Sequence, residues 1–379
     1  MIDMKSNNQQ NSTKIKGKLL LEDIKQLADI IESSHPDPYS KGGGKIAFHY
    51  RLHKLLLSIP QEGLIKDDFQ KLLLPFIAAI GDGHTRIHVK YNLNEKQPGG
   101  IPLYFDIIEK SLYVSGVIAE NNKDLIGSVL HSVENIPFDV LCDRVSKIQG
   151  IDNEYGPLVN LDHKNYLWNK PTLLALIPEW NRDKITIELK SPLGEINEIT
   201  FDTDLEYNQP SIMKESIIEI PSTEKSEFAY NFLDKNQKIA LLRVDGMIGY
   251  RENFELVGID NEFQLNDAKN YYQRFNEKQP PNDKSELING IPSATETFRS
   301  LVIEMKQSKT ETLIIDLRKN GGGNSLLANI LVYFLFGKNK MLEYLTKKSG
   351  FEIIKYSDRY LEQVQNGKKE TPNLMIELG

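Results

Sequence analysis

Three consecutive glycines, Gly321 to Gly323, separate two apolar segments of the chain and restrict how this region can fold. Glycine lacks a Cβ and loses the most entropy in regular structure, so the triplet predicts a turn. The apolar, β-branched run Leu313 to Leu317 before it predicts a strand buried on both faces of a mainly parallel sheet. The Leu- and Ala-rich run after it predicts a helix from Ser325, with Asn324 or Ser325 as the N-cap.

A strand, a glycine loop and a helix N-terminus together present several backbone N–H groups at one point. Such a loop can bind a phosphate, a carboxylate or the oxyanion of acyl transfer, and a tight turn without a ligand is the alternative. The nucleotide fingerprints fail, because the glycines neither precede Gly-Lys-Ser/Thr nor form G-x-G-x-x-G. Ser325 lacks the second glycine of a nucleophile elbow. The residues therefore favour an oxyanion-type loop.

Composition limits the class of protein and its partners. The 379 residues are 40% hydrophobic and 26% charged, which is enough apolar material for two or three globular domains. A net charge of -7 without a basic stripe argues against nucleic acid as a partner. The single cysteine, Cys142, excludes an intrachain disulfide and thiolate zinc sites, and we expect it to be buried. The polar N-terminus is not a secretory signal and no segment could span a membrane, so we expect a cytoplasmic protein.

The order of helical, strand-like and polar segments predicts a multidomain protein of mixed α+β and α/β class. Residues 1–18 are polar and predict a disordered N-terminus. Residues 19–95 have apolar residues at helical spacing and predict a helical domain. A β-rich domain follows at 96–204, and an α/β domain follows at 205–379.

Apolar periodicity also predicts the individual elements. The predicted helices cover residues 19–33, 48–57, 65–80, 138–148 and 294–307. The predicted strands cover residues 85–89, 101–108, 112–118, 184–190, 198–201 and 238–244, besides the strand before the glycines. The polar stretch from Asn253 to Gly290 predicts a long excursion or insertion. The last two strands and the helix at 294–307 between them predict a βαβ unit.

Four elements, in this order, carry a resemblance to a known family. They are His35-Pro36-Asp37-Pro38-Tyr39, Gly81-Asp82-Gly83-His84-Thr85, the β-rich domain, and the strand ending in Asp316-Leu317-Arg318-Lys319-Asn320-Gly321-Gly322-Gly323-Asn324. Together they resemble the C-terminal processing, or tail-specific, serine peptidases. They are most similar to the branch that includes the tricorn core and the retinoid-binding-protein-like bacterial enzymes, many of whose relatives are exported.

The resemblance implies a PDZ-like domain at 96–204 and a crotonase-like domain of ββα units at 205–379. It also implies cleavage of peptides or unfolded proteins by a serine nucleophile, without a metal or cofactor.

The resemblance assigns roles to particular residues. His84 falls where this branch has its general base, although the residues alone favour a loop histidine bonded to a carbonyl. An imidazole suits the role because it titrates near neutrality. The resemblance places Gly321 to Gly323 beside the oxyanion site. Asp82, which either orients His84 or caps the turn, and Asn320 are the supporting residues.

The expected nucleophile is the main departure from the family pattern. In the family it lies downstream of the glycine loop, in a segment resembling Thr-Ser-x-x-Thr-x-Ser-x-Ala-Glu. After Ser325 this chain has only Ser349 and Ser357, both in polar sequence. We therefore expect the nucleophile beyond Gly379, and an incomplete catalytic domain whose open sheet edge favours a homo-oligomer.

Two alternatives to a working peptidase remain at this point. The first is an inactive fragment or pseudo-peptidase that only binds peptide ends through its PDZ-like domain. The second is a nucleotide-binding α/β protein, which depends on the glycine loop alone.

Overall fold

A computed structural model describes residues 13–87, 100–118, 120–162, 167, 170–180, 183–203, 211–347, 355–358 and 360–362. The chain forms two compact units, one of residues 1–214 with 353–379 and the other of residues 215–352. Both contain helices and strands, so the predicted multidomain, mixed helix and sheet architecture is confirmed at that level.

Three helices form the N-terminal part of the first unit. They are α1 (Gly17–Ser34), α2 (Gly44–Leu57) and α3 (Lys66–Ala78). Each packs an apolar stripe into one shared core, and α3 continues through Pro75 as a single helix. Ile15 pairs with Leu64 just before α1, inside the segment predicted to be disordered. Residues 1–12 of that segment lie outside the described residues.

A seven-stranded antiparallel sheet forms the second part of this unit. Its strands are β1 (Leu103–Ile108), β2 (Ser111–Ile118), β3 (Val129–Val133), β4 (Ile136–Pro137), β5 (Lys184–Lys190), β6 (Ile196–Asp202) and β7 (Ser211–Met213). The order is β1-β2-β3-β5-β6, with β4 beside β3 and β7 beside β2. Alternating apolar residues direct one face of the sheet to a buried core.

Three helices accompany this sheet, whereas the sequence pattern predicted one. They are α4 (Phe138–Ile148), α5 (Gly156–Leu161) and α6 (Lys170–Leu176). The bounds of α4 agree with the prediction, and its buried Leu141 and Val145 join the core of the sheet. Cys142 on the same helix is half-buried, and burial raises the pKa of its thiol to about 11. It is therefore protonated and unreactive at neutral pH.

The second unit contains a three-stranded sheet of β8 (Phe228–Phe232), β9 (Ile239–Val244) and β10 (Thr312–Asp316). The central strand β9 pairs antiparallel with β8 and parallel with β10. The parallel pair and the intervening helices confirm the predicted βαβ unit.

Five helices belong to the second unit. They are α7 (Arg251–Val257), α8 (Glu262–Asn276), α9 (Lys284–Asn289), α10 (Ala294–Ser308) and α11 (Leu326–Lys347), the last with a non-helical residue at Gly337. The stretch from Asn253 to Gly290, predicted as a long excursion or insertion between β9 and α10, forms most of α7 and all of α8 and α9, which were not predicted as helices. Asn261 caps the N-terminus of α8, and Asp283 caps that of α9. A few widely spaced apolar residues of these helices form a small separate core.

The burial of β10 also differs from the prediction. Ile314 and Ile315 are each 41% exposed and Leu317 is 55% exposed, so the strand is not buried on both faces. Within the described residues β10 pairs only with β9, which makes it an edge strand. In the described part of the chain, no helix combines the length and apolarity needed to cross a bilayer.

Candidate functional site

The glycine loop follows β10 in the second unit and is held by its own asparagines. The Asn320 side chain accepts the Gly322 N–H at 2.7 Å and donates to the Val244 carbonyl at 3.2 Å. The Asn324 side chain accepts the Leu326 N–H at 3.0 Å, so Asn324 caps α11. Asn320 therefore supports the loop by fixing its backbone.

A second loop, which follows β9, lines one side of the glycine loop. The Met247 N–H donates to the Gly322 carbonyl at 3.1 Å, and the Met247 carbonyl accepts the Asn324 N–H at 2.8 Å. Gly323 lies between these two bonds with φ +135°. A Cβ there would lie 2.6 Å from the Met247 carbonyl oxygen, so only glycine fits this close approach.

Two amides of the glycine loop remain available to a ligand. Among the described residues, the N–H groups of Gly321 and Gly323 have no hydrogen-bond partner, and both glycines are exposed. In the parallel bridge between Met247 and Gly323, the Gly323 N–H points away from Met247. With the N-terminus of α11 beside them, these amides can stabilise a negative charge.

The buried carboxylate of Glu227 holds the neighbouring loop. It accepts the N–H groups of Ile248 at 2.9 Å and Gly249 at 2.7 Å, and its side chain is only 8% exposed. Tyr271 packs against it, and burial together with the Glu227 charge raises the pKa of Tyr271 to about 12. Sequence analysis missed Glu227 because it lies in an irregular segment, although Gly246 and Gly249 were a signal for a close backbone approach.

His84 lies in the first unit, on the loop that follows α3. Its side chain is 95% exposed, and its Nδ1 lies 3.7 Å from Asp82 Oδ1, which is beyond hydrogen-bond distance. The predicted strand from Thr85 is wrong for residues 85–87, which form no strand, and residues 88 and 89 lie outside the described part. The imidazole is therefore accessible from solvent.

Asp82 caps the turn rather than orienting the imidazole. One carboxylate oxygen accepts the His84 N–H at 3.0 Å, and the other accepts the Thr85 hydroxyl at 2.5 Å. The same second oxygen lies 3.3 Å from His35 Nε2. Burial opposes ionisation, but the hydrogen bonds from Thr85, the His84 backbone and His35 outweigh it and lower the pKa of Asp82 to about 2.

His35 connects the first motif to the second. Its Nδ1 accepts the Asp37 N–H at 3.1 Å, so its Nε2 carries the proton that is donated to Asp82. One imidazole thus bonds to both loops.

Two residues that sequence analysis did not single out complete the His84 loop. Asp152 accepts the Gly83 N–H at 3.0 Å, and Lys41 donates to the carbonyls of Gly81 and Asp152. One ligand atom each of Asp82, His84 and Asp152 lies within 4.8 Å of the others, as in a metal site. The hydrogen bonds to the two carboxylates account for this geometry without an ion.

The residues that the sequence predicted for the site are distributed over both units. His84 and Asp82 belong to the first unit, whereas Asn320 and Gly321 to Gly323 belong to the second. One part offers an exposed imidazole on a fixed loop, and the other offers exposed amides at a helix N-terminus. An imidazole and outward-facing backbone amides are both groups that enzymes of the acyl-transfer class use.

Comparisons with known proteins agree with this class. The profile of Peptidase family S41 matches residues 256–370, which contain the glycine loop. This match agrees with the resemblance stated from the sequence, and residues 256–370 are similar to peptidase family S41. None of the curated proteins matches the chain.

Two solved structures are similar to most of this chain. Mature CPAF complexed with lactacystin is 15% identical, with a TM-score of 0.50, over 83% of this chain and 59% of its own. A crystal structure of mature CPAF is 14% identical, with a TM-score of 0.49, over 83% of this chain and 58% of its own. The chain therefore spans about three fifths of the length of the structures it matches.

Proposed function

We propose that this chain is part of a serine-type peptidase that hydrolyses peptide bonds in peptides or unfolded proteins. The single observation that carries the proposal is the glycine loop, whose exposed Gly321 and Gly323 amides lie within the segment that matches peptidase family S41. Fold likeness to CPAF agrees with the proposal and does not by itself imply an activity. The crotonase-like and PDZ-like assignments of the two domains are part of the same proposal.

In the proposed reaction the glycine loop stabilises the tetrahedral intermediate. The Gly321 and Gly323 N–H groups would donate to the oxygen that becomes negative when the scissile carbonyl is attacked. Asn320 and Met247 hold the loop before the substrate arrives, so little reorganisation is needed during the reaction.

His84 is the proposed general base, and the proposed nucleophile is a serine that follows Gly379 in a longer protein. A serine hydroxyl becomes a competent nucleophile only when a base takes its proton. The exposed imidazole of His84 and its rigid loop fit that role. Neither Ser349 nor Ser357 lies in sequence typical of the family's nucleophile.

The test begins with the intact mass of the native protein, which decides whether the expressed form exceeds 43.3 kDa. Hydrolysis of an unstructured casein substrate by that native form is then compared with hydrolysis by its His84→Ala variant. We expect a loss of at least about a hundredfold in kcat, as for removal of a general base. His53→Ala is the matched control, because His53 is an exposed histidine of α2. Normal turnover in His84→Ala would contradict the assignment.

A second candidate function is peptide binding without hydrolysis, by the β-rich domain. The observation that favours it is β7, a short segment of the chain that already pairs with β2 as an added strand. If the native protein has a mass of 43.3 kDa and does not cleave casein, saturable binding of a peptide by the folded chain would support this function.

A further inference from the structure

Strand β7 pairs with a part of β2 that is not paired with β3. On this side of β2, strand β3 pairs at Tyr113. Further along, β7 pairs antiparallel with the residues Gly116 to Ile118. Without β7, this stretch of β2 would be an open sheet edge of the kind that accepts an added strand.

The contacts of β7 with this edge are of three kinds. The Lys214 N–H donates to the Ser115 carbonyl at 2.7 Å, which extends the main-chain pairing by one residue. The Ile212 side chain packs against the core of the sheet. On the other face, Met213 lies directly over Gly116, where an added Cβ would be 2.4 Å from its sulfur. The edge therefore combines main-chain bonds, an apolar position and a gap opposite a glycine.

The pairing of β7 is short compared with that of the long strands of the sheet. The strand has three residues, whereas β5 and β6 pair over seven positions. Ser211 is exposed and Met213 is 44% exposed, so Ile212 supplies most of the apolar burial. A segment held in this way can leave without disturbing the pairing of β2 with β1.

We propose that the β2 edge from Ser115 to Ile118 is a binding site for an extended peptide and that β7 is its internal competitor. The ligand is a peptide strand with a branched apolar residue at the position of Ile212 and a flexible side chain over Gly116. The inference deepens the peptide-binding function proposed above and does not depend on hydrolysis.

Competition follows from the covalent link between β7 and the sheet. A tethered segment acts at an effective concentration on the order of millimolar, so a free peptide binds weakly while β7 is paired. Release of β7 exposes the main-chain groups of β2 and strengthens peptide binding. The edge is thus regulated by whatever displaces β7.

The probe for the experiment is a fluorescein-labelled peptide that copies residues 209–215, and the readout is fluorescence polarisation with the full chain. Ile212→Asp removes the apolar contact of β7, and we expect the peptide to bind this variant at least about tenfold more tightly than the wild type. Ile217→Asp makes the same change at a fully exposed isoleucine and should bind like the wild type.

Two further variants separate release of β7 from damage to the fold. Lys214→Pro removes the N–H that bonds the Ser115 carbonyl and leaves the core unchanged, and it should also strengthen binding. Adding Gly116→Val to Ile212→Asp should abolish binding, since a side chain there obstructs the added strand. If Ile212→Asp and Lys214→Pro keep the wild-type melting temperature and neither binds the peptide more tightly, the proposal is wrong. Casein hydrolysis, measured separately, reports on the peptidase proposal alone.

Discussion

The Met247 N–H donates to the Gly322 carbonyl at 3.1 Å, and in this way the loop after β9 fixes the loop after β10. The bond orients the Gly322 peptide group. The Met247 carbonyl in turn accepts a hydrogen bond from the Asn324 N–H. Two loops far apart in sequence thereby decide which glycine amides face outward. The geometry of the proposed oxyanion site therefore depends on residues outside the glycine motif.

Replacing Gly323 by alanine should distort this arrangement. Its φ of +135° and the 2.6 Å approach of a Cβ to Met247 make any side chain strained. We expect a loss of about 1–3 kcal/mol in the free energy of unfolding, measured by urea denaturation. Gly321→Ala is the control, because its Cβ would meet no atom within 4 Å. Equal stability of the two variants would show that the close contact with Met247 has no energetic importance.

Glu227→Ala should destabilise the loop after β9. The substitution leaves the Ile248 and Gly249 N–H groups without their acceptor in a buried site. Such a loss costs about 1–3 kcal/mol, and faster hydrogen exchange should appear at these two amides. Glu224→Ala removes an exposed carboxylate from the same segment and should have little effect. Unchanged exchange at Ile248 and Gly249 in Glu227→Ala would disprove the proposed support.

The low pKa of Asp82 predicts acid sensitivity of the His84 loop. A carboxyl whose pKa falls from 3.8 when unfolded to about 2 when folded stabilises the fold above pH 3.8. That stabilisation is lost as the pH falls through 2, because both states then bind the proton. At 1.36 kcal/mol per pKa unit the contribution at neutral pH is about 2 kcal/mol.

The change in unfolding free energy between pH 6 and pH 2.5 measures this contribution. Asp82→Asn should reduce the difference, whereas Asp23→Asn, at an exposed position of α1, should leave it at the wild-type value. An identical pH dependence for Asp82→Asn and the wild type would exclude this role.

Local sequence pattern predicted much of the fold. Apolar periodicity, a property of neighbouring residues, predicted the apolar face of α4 and the strand β5. The order of the elements along the chain predicted the parallel pairing of β9 with β10. The glycine loop and its capping residue Asn324 follow from equally local chemistry.

The features that the sequence did not predict depend on contacts between distant residues. Glu227 reaches the loop after β9, and Asp152 reaches Gly83 from a segment after α4, so neither could be inferred from its own surroundings. The apolar run Ile314 and Ile315 predicted burial, but burial depends on how many strands flank β10 and not on its composition. The helices α8 and α9 were missed because a short helix can be capped and packed with few apolar residues.

The exposed face of β10 predicts self-association of this chain. Ile314 and Ile315 are both 41% exposed on an edge strand, and Leu317 follows at 55%. Unpaired main-chain groups beside apolar side chains favour pairing with another copy. We expect the chain to be oligomeric by light scattering, and the double variant Ile314→Lys with Ile315→Lys to shift it towards the monomer, because charged side chains oppose edge pairing. Leu193→Lys, at an exposed turn in the first unit, is the matched control and should not change the mass. A wild-type chain that is already monomeric at high concentration would show that this edge does not mediate association.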